Sequence, residues 1–280
     1  MKYLILTTAL VTATLAPAGV ATAQIVNAPE ARVVYGHHHL HVTDVAAHKR
    51  FWVDTLGGTV GPKKLGPFDV IRVHNAVILL QAVAPKGGTK GTTVGHLGLE
   101  VPDLRATLAR LRAAGYPIVT RAELPPSMPV TDDMLVTPGL SVAFVMGPDE
   151  TLVELVENKA AGAVGNHHLH FSAVAPNEVK AWYTKTFGAK AAKMGTIDVQ
   201  EIPGTNLMYT PTKDAPLTTK DRVLDHIGLE VKNLEQFCKD LEAAGTKLDR
   251  PYSKVLGLGV AFVTDPWGTV IELTEGLDQY

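Results

Sequence analysis

One eight-residue passage is written twice in this chain, as His96-Leu-Gly-Leu-Glu-Val-Pro-Asp103 and as His226-Ile-Gly-Leu-Glu-Val-Lys-Asn233. Each copy is followed by a later apolar segment with one acid in it, Glu154 or Glu272. A histidine and a carboxylate that recur together are two of the three donors needed to hold a divalent cation with positions left open. A single such histidine would read as a packed core residue, but duplication together with the glutamate favours ligation. The acids lie in Leu152-Val-Glu-Leu-Val156 and Val270-Ile-Glu-Leu273. An ionised carboxylate in such a run needs a counter-charge, which a metal supplies.

The elements that must position these groups follow from the same repeat. Asp103 and Asn233 are N-cap types; Leu104, Leu108 and Leu111, or Leu234, Phe237 and Leu241, recur at helical spacing; Gly115 and Gly245 suit a left-handed helix end. Before each helix, alternation puts Leu97, Leu99 and Val101 on one strand face and His96, Gly98 and Glu100 on the other. Ile227, Leu229 and Val231 against His226, Gly228 and Glu230 repeat this. After the helix, Gly139-Leu-Ser-Val-Ala-Phe-Val145 matches Gly257-Leu-Gly-Val-Ala-Phe-Val263, and a further strand carries the glutamate. The first copy is longer by twelve residues around Leu124-Pro-Pro-Ser-Met-Pro129, a loop expected to border the site as a lid.

A weaker pair lies upstream. Gly36-His-His-His-Leu-His-Val42 parallels Gly165-Asn-His-His-Leu-His-Phe171, each followed by an aromatic pair, Phe51-Trp52 or Trp182-Tyr183. The chain therefore holds four strand-helix-strands units. Units of about 60 residues rarely bury enough surface alone, so two domains are expected, at 33–157 and 166–276, joined by a small-residue linker at 158–165.

Residues 1–23 join Lys2 to an apolar run closing on Ala21-Thr-Ala23, which reads as a secretory leader and predicts an exported protein, periplasmic or secreted, free of the membrane once the leader is removed. A net charge of −2 with interspersed signs lacks the basic footprint that nucleic acid requires, and a small-molecule partner is expected. Cys238 is the only cysteine and reads as a packed side chain. Oligomeric state is not legible.

A strand with histidine, a capped helix and strands ending Asp-Pro-x-Gly-x-x-x-Glu-Leu, as in Asp265 to Leu273, resembles the vicinal oxygen chelate superfamily, which includes glyoxalase I, extradiol dioxygenases and bleomycin or fosfomycin resistance proteins. The resemblance covers nearly all of the chain after the leader. It implies an α+β fold of four βαβββ modules, paired into two glyoxalase-like domains whose sheets curl around a metal. Carried over by position, it implies one ligand set of His37 or His39 with His96 and Glu154, and another of His168 with His226 and Glu272. Counting back from the helix aromatics pairs His37 with His168; aligning His-Leu-His pairs His39 with His168 and His41 with His170. A two-residue slip keeps the strand face, so His37, His39 and His41 point one way, as do His168 and His170.

At the family's fourth ligand position stand Leu79 and Met208 or Tyr209, with Gln81 as a distant substitute. Two histidines and a carboxylate suit Fe(II), with Zn, Mn or Ni as alternatives. Glu100 and Glu230 are candidates for a supporting or general-base role, or else salt-bridged rim residues. Gly98 and Gly228 leave room for substrate. His38 and His167 read as packing residues on the opposite face, His48 and His74 as surface residues. The expected function is a metal-dependent enzyme on a small oxygen-bearing substrate, dioxygenase-like or lyase/isomerase-like. The alternative is a binding protein that sequesters a small compound. Phe262 occupies the position of the extradiol tyrosine, which speaks against catechol ring cleavage by the familiar route.

Overall fold

The computed structural model describes residues 25–280, so the leader-like stretch 1–23 lies outside the described residues. Four successive units share one plan. The first holds β1 (Val33–His41), α1 (Val45–Lys49) continuing as a π-helical turn over Arg50–Thr55, β2 (Thr59–Val60), β3 (Asp69–Val73) and β4 (Ala76–Gln81). The second holds β5 (Val94–Val101), α2 (Leu104–Ala113), an insertion with α3 (Thr120–Glu123) and β6 (Val130–Thr131), then β7 (Met134–Thr137), β8 (Leu140–Met146) and β9 (Leu152–Glu157). The third holds β10 (Gly165–Ala173), α4 (Pro176–Phe187), β11 (Lys190–Met194), β12 (Ile197–Ile202) and β13 (Thr205–Pro211). The fourth holds β14 (Leu224–Val231), α5 (Leu234–Ala243), β15 (Arg250–Val255), β16 (Leu258–Thr264) and β17 (Val270–Glu275). This is the expected α+β arrangement of βαβββ modules.

Local chemistry explains the helices. Asp103 accepts the Ala106 N–H at 2.9 Å and starts α2, burying Leu104, Leu108 and Leu111. Each such leucine contributes roughly 1.5–3 kcal/mol on leaving water. Asn233 does not cap α5 with its side chain. It adopts the left-handed conformation (φ 54°), and the Glu275 carboxylate accepts the N–H groups of Asn233 and Leu234 at 3.0 and 3.3 Å.

Within every unit the first strand runs parallel to the last: β1 with β4, β5 with β9, β10 with β13, β14 with β17. That leaves one edge of each first strand as a row of unpaired donors and acceptors. Joining units within a sequence half, as the repeat predicts, would satisfy it. The structure corrects this expectation: β1 pairs antiparallel with β14, and β5 with β10. One sheet therefore runs β15-β16-β17-β14-β1-β4-β3-β2 and the other β11-β12-β13-β10-β5-β9-β8-β7-β6. The halves 33–157 and 166–276 each give one unit to either sheet. Gly165, expected in the linker, already opens β10.

A continuous apolar core joins the helix-facing sides of both sheets, including Tyr35, Trp52, Leu80, Leu97, Phe171 and Leu229. Smaller clusters lie on the opposite, inward sides: Val77, Leu79, Leu258, Val260 and Tyr280 on the first sheet, Leu135, Val142 and Val156 on the second. His48, expected at the surface, is fully buried. Its Nε2 donates to Asp149 at 3.0 Å while Nδ1 accepts from the Trp52 indole at 3.2 Å. Asp149 also accepts the Thr43 N–H and hydroxyl, tying the first unit to the turn before β9. Cys238 is buried, and burial pushes its thiol up to about 11. No helix of the described residues is long and apolar enough to cross a membrane.

Candidate metal centres

On three adjacent strands of the first sheet, His37 of β1 stands opposite Gly228 of β14, and Gly228 stands opposite Glu272 of β17. Neighbouring strands lie about 4.8 Å apart, so side chains on the outer two meet only if the middle one carries nothing. A Cβ built at Gly228 would lie 2.0 Å from Cε1 and Nδ1 of His37. The ring thus lies across the glycine, and its Nε2 reaches Oε2 of Glu272 at 2.9 Å. His226, two residues along β14, brings Nε2 to the same oxygen at 3.0 Å.

The second sheet repeats this. His168 stands opposite Gly98, and Gly98 opposite Glu154; a Cβ at Gly98 would lie 2.0 Å from His168 Nδ1. Oε2 of Glu154 is 3.0 Å from His96 Nε2 and 3.2 Å from His168 Nε2, and the two nitrogens are 3.4 Å apart. Donors held about 2.1 Å from one ion in octahedral or tetrahedral array are separated by roughly 3.0–3.4 Å. All three distances of the second triad fall in that range, and in the first the two nitrogens stand 2.9 and 3.0 Å from the shared oxygen. Gly98 and Gly228, expected to leave room for substrate, leave room for the His168 and His37 rings, which occupy the space a side chain there would fill.

A fourth donor stands beside each triad. His39, opposite His226, and His170, opposite His96, each offer a nitrogen, and the four donor atoms of a group lie within 4.8 Å of one another. Their rings lie 4.3 and 4.4 Å from those of His226 and His96. His39 Nε2 is held by Gln81 Oε1 at 3.0 Å and His170 Nε2 by the Thr210 hydroxyl at 2.7 Å, while each Nδ1 is buried without a partner. Gln81 therefore anchors His39. Leu79 lies opposite His39 and Met208 opposite His170, whereas Tyr209 stacks on Phe171 at 5.4 Å and donates to Gln200 on the helix side.

The candidate donor groups differ from the expected sets because the modules pair across the halves. His37 and His39 meet His226 and Glu272, and His168 meets His96 and Glu154. Opposition to the glycines matches His37 with His168, so the His-Leu-His alignment is two residues out of register. His170 was not among the expected ligands, although strand alternation had placed it on the correct face. His41 joins a third group with Asp221 and Asp225, 3.8 Å from the latter. Its acids are already engaged, Asp221 with Lys86 at 2.7 Å and Asp225 with His226.

Glu230 and Glu100 hold structure instead of facing the triads. Glu230 accepts the Thr274 hydroxyl and the N–H groups of Gly276 and Leu277, and Glu100 accepts the Asn158 amide at 2.7 Å. His38 packs as expected, bonded to Tyr35. His167 does not turn to the opposite face; its Nδ1 meets His168 Nδ1 at 2.7 Å. The insertion sends Leu124 and Val130 against the inward cluster of the second sheet.

The electrostatics suit cation binding, which needs neutral imidazoles and ionised carboxylates. Burial pushes His37, His39 and His96 below the usual histidine range, and His170 to about 3. Burial works to raise the glutamates, yet the paired histidines outweigh it and hold Glu272 and Glu154 below the carboxylate range. His226 is the exception. Burial would lower it, but the hydrogen bonds it donates to Asp225 and Glu272 raise it to about 9, so a cation entering there must displace a proton.

Comparison with known proteins agrees with this architecture. Residues 34–127 and 166–273 match the family described as the Glyoxalase/Bleomycin resistance protein/Dioxygenase superfamily. A Vibrio cholerae protein named a probable lactoylglutathione lyase is 38% identical over 74 residues, covering 26% of this chain and 46% of that protein. The chain thus aligns with about half the length of that curated relative. The crystal structure of glyoxalase I from Zea mays superposes with a TM-score of 0.67 at 14% identity, covering 88% of this chain and 93% of the other. A likeness at that identity speaks for the fold alone.

Proposed function

The chain belongs to the glyoxalase/bleomycin resistance protein/dioxygenase superfamily, and from that premise we propose that it is a metal-dependent enzyme acting on a small substrate with two neighbouring oxygens. The observation that carries this reading is the convergence, twice over, of two imidazole nitrogens and one carboxylate oxygen across a strand junction. His37, His226 and Glu272 would hold one divalent ion, and His168, His96 and Glu154 another. Fe(II) is favoured by the donor set, with Zn, Mn and Ni as alternatives that metal analysis decides. When bound, the ion supplies charge that polarises the substrate's oxygens.

The chain's own groups do the rest. Gln81 and Thr210 anchor Nε2 of His39 and His170, leaving in each ring a buried Nδ1 without a partner as the group to accept and return a proton. Phe262 and Phe144, edge-on to His226 and His96 at 5.4 and 5.3 Å, present only carbon and exclude water. These features support lyase- or isomerase-like proton movement ahead of dioxygenation. Export rests on the composition of residues 1–23 alone and is part of the proposal.

The second reading, a binding protein that sequesters its ligand, draws on the apolar cover of the first sheet, where Leu65, Phe68, Leu277 and Tyr280 pack with Val77 and Leu79. Metal analysis of the purified chain and of its His226→Ala and His96→Ala variants tests the metal reading. Each variant should lose one ion, and full loading of both rejects it. Turnover of small oxygenated substrates without oxygen uptake supports the lyase class, oxygen uptake the dioxygenase class, and ligand protection without turnover the sequestering one.

A further inference from the structure

The two strand junctions break register at equivalent places. Between β1 and β14, Gly36 and Asp225 have no opposite residue, because Tyr35 pairs with Leu229, His37 with Gly228, His39 with His226 and Leu40 with Leu224. Between β10 and β5, His167 and Gly95 are left over in the same way. An extra residue of this kind bends its strand and re-aims its side chain. That is how Asp225, adjacent in sequence to His226, turns its Oδ1 onto His226 Nδ1 at 2.6 Å. Its other oxygen accepts the Asp221 N–H at 2.6 Å, which fixes the carboxylate.

The equivalent position in the second sheet is Gly95, which has no side chain to offer His96. There the polar extra residue is on the other strand, where His167 meets His168. One centre thus has a carboxylate behind a ligand histidine, and the other has an imidazole. A carboxylate accepting Nδ1–H fixes the tautomer, directs the Nε2 lone pair at the other donors and makes that nitrogen a stronger donor. A neighbouring imidazole orients without adding charge.

Resting on the reading that both triads bind metal, we propose that Asp225 is a positioning residue that makes the first-sheet centre the tighter of two unequal metal sites. The closing experiment is chelator competition with Zn(II) on the full chain at a series of pH values, the affinities being compared on the alkaline plateau where protons no longer compete for the histidines, with melting curves to confirm folding. Wild type should show two affinity classes, the tight one abolished by His226→Ala and the weak one by His96→Ala. Asp225→Asn, which keeps the shape and removes the charge, should weaken only the tight class, by about 10–100-fold. Gly95→Asp should tighten the weak class, since a Cβ there meets only Ser172 Oγ, at 3.4 Å. The inference is overturned by two equal classes, by loss of the tight class in His96→Ala, by an Asp225→Asn chain with unchanged affinities, or by a weak class unmoved in Gly95→Asp. Absence of any bound Zn(II) in wild type overturns the metal reading and this inference with it.

Discussion

Replacing Gly228 by alanine adds one methyl group where the His37 ring already lies. The new Cβ would sit 2.0 Å from two ring atoms, whereas unstrained contact between such atoms needs roughly 3.4 Å, so ring or strand must move by about 1.4 Å. Ligand distances tolerate about 0.2 Å, so a shift of that size removes His37 from the centre. Overpacking of this kind costs about 1–3 kcal/mol, and in a chain of this length each kcal/mol lowers the melting temperature by roughly 2–4 °C. We predict that Gly228→Ala, measured by elemental analysis at saturating metal, carries one ion fewer than wild type and melts lower in chelator by roughly 2–12 °C. Gly98→Ala should lose the other ion, and the double variant both. A Gly228→Ala chain with full metal and unchanged melting would show that the ring does not cross the glycine, and the account of both centres would fail together.

Three further outcomes are expected. Because His37 and His226 serve one centre, their alanine variants should remove the same ion and the double variant no more, whereas His37→Ala with His96→Ala should remove both; the reverse pattern in metal content would restore pairing within sequence halves. Without metal, stability should peak near pH 6.5 in melts run in chelator. His37, His38, His39, His48, His96, His167 and His170 are lowered in the fold, so the unfolded chain takes up protons first as pH falls below about 6.5; His226, raised to about 9, contributes fully below about 6.5 and loses roughly 3 kcal/mol as pH rises through 9. A melting temperature flat from pH 6.5 to 9 contradicts this, and Asp225→Asn should abolish most of that alkaline limb. Asp149→Ala leaves the buried His48 Nε2–H without an acceptor and should cost about 1–3 kcal/mol in denaturant melts, with metal content intact. A change smaller than about 0.3 kcal/mol would mean that water replaces the carboxylate.

The repeat of His-x-Gly-Leu-Glu-Val with a later glutamate, together with the weaker repeat upstream, was enough to outline four modules and to place His96 and His226 on one strand face, because alternation along a strand and helical spacing are local rules that a single segment obeys by itself; the choice between His37 and His39 stayed open. The repeat was also enough to place Gly98 and Gly228 on the histidine face, although their use as a floor for His168 and His37 needed the strand register. What sequence could not decide was which module meets which. Each first strand exposes one open edge, and β1 satisfies it as well by its own pattern with β5 as with β14; the choice rests on packing summed over whole sheets. From that choice follow the exchange of donor sets between halves and the placing of His170 beside His96. The strand irregularities at Asp225 and His167 are likewise invisible to a period-two reading, since one unpaired residue reverses the faces predicted beyond it. Side-chain type was therefore written locally, while the company each side chain keeps was set by a contact between strands more than a hundred residues apart.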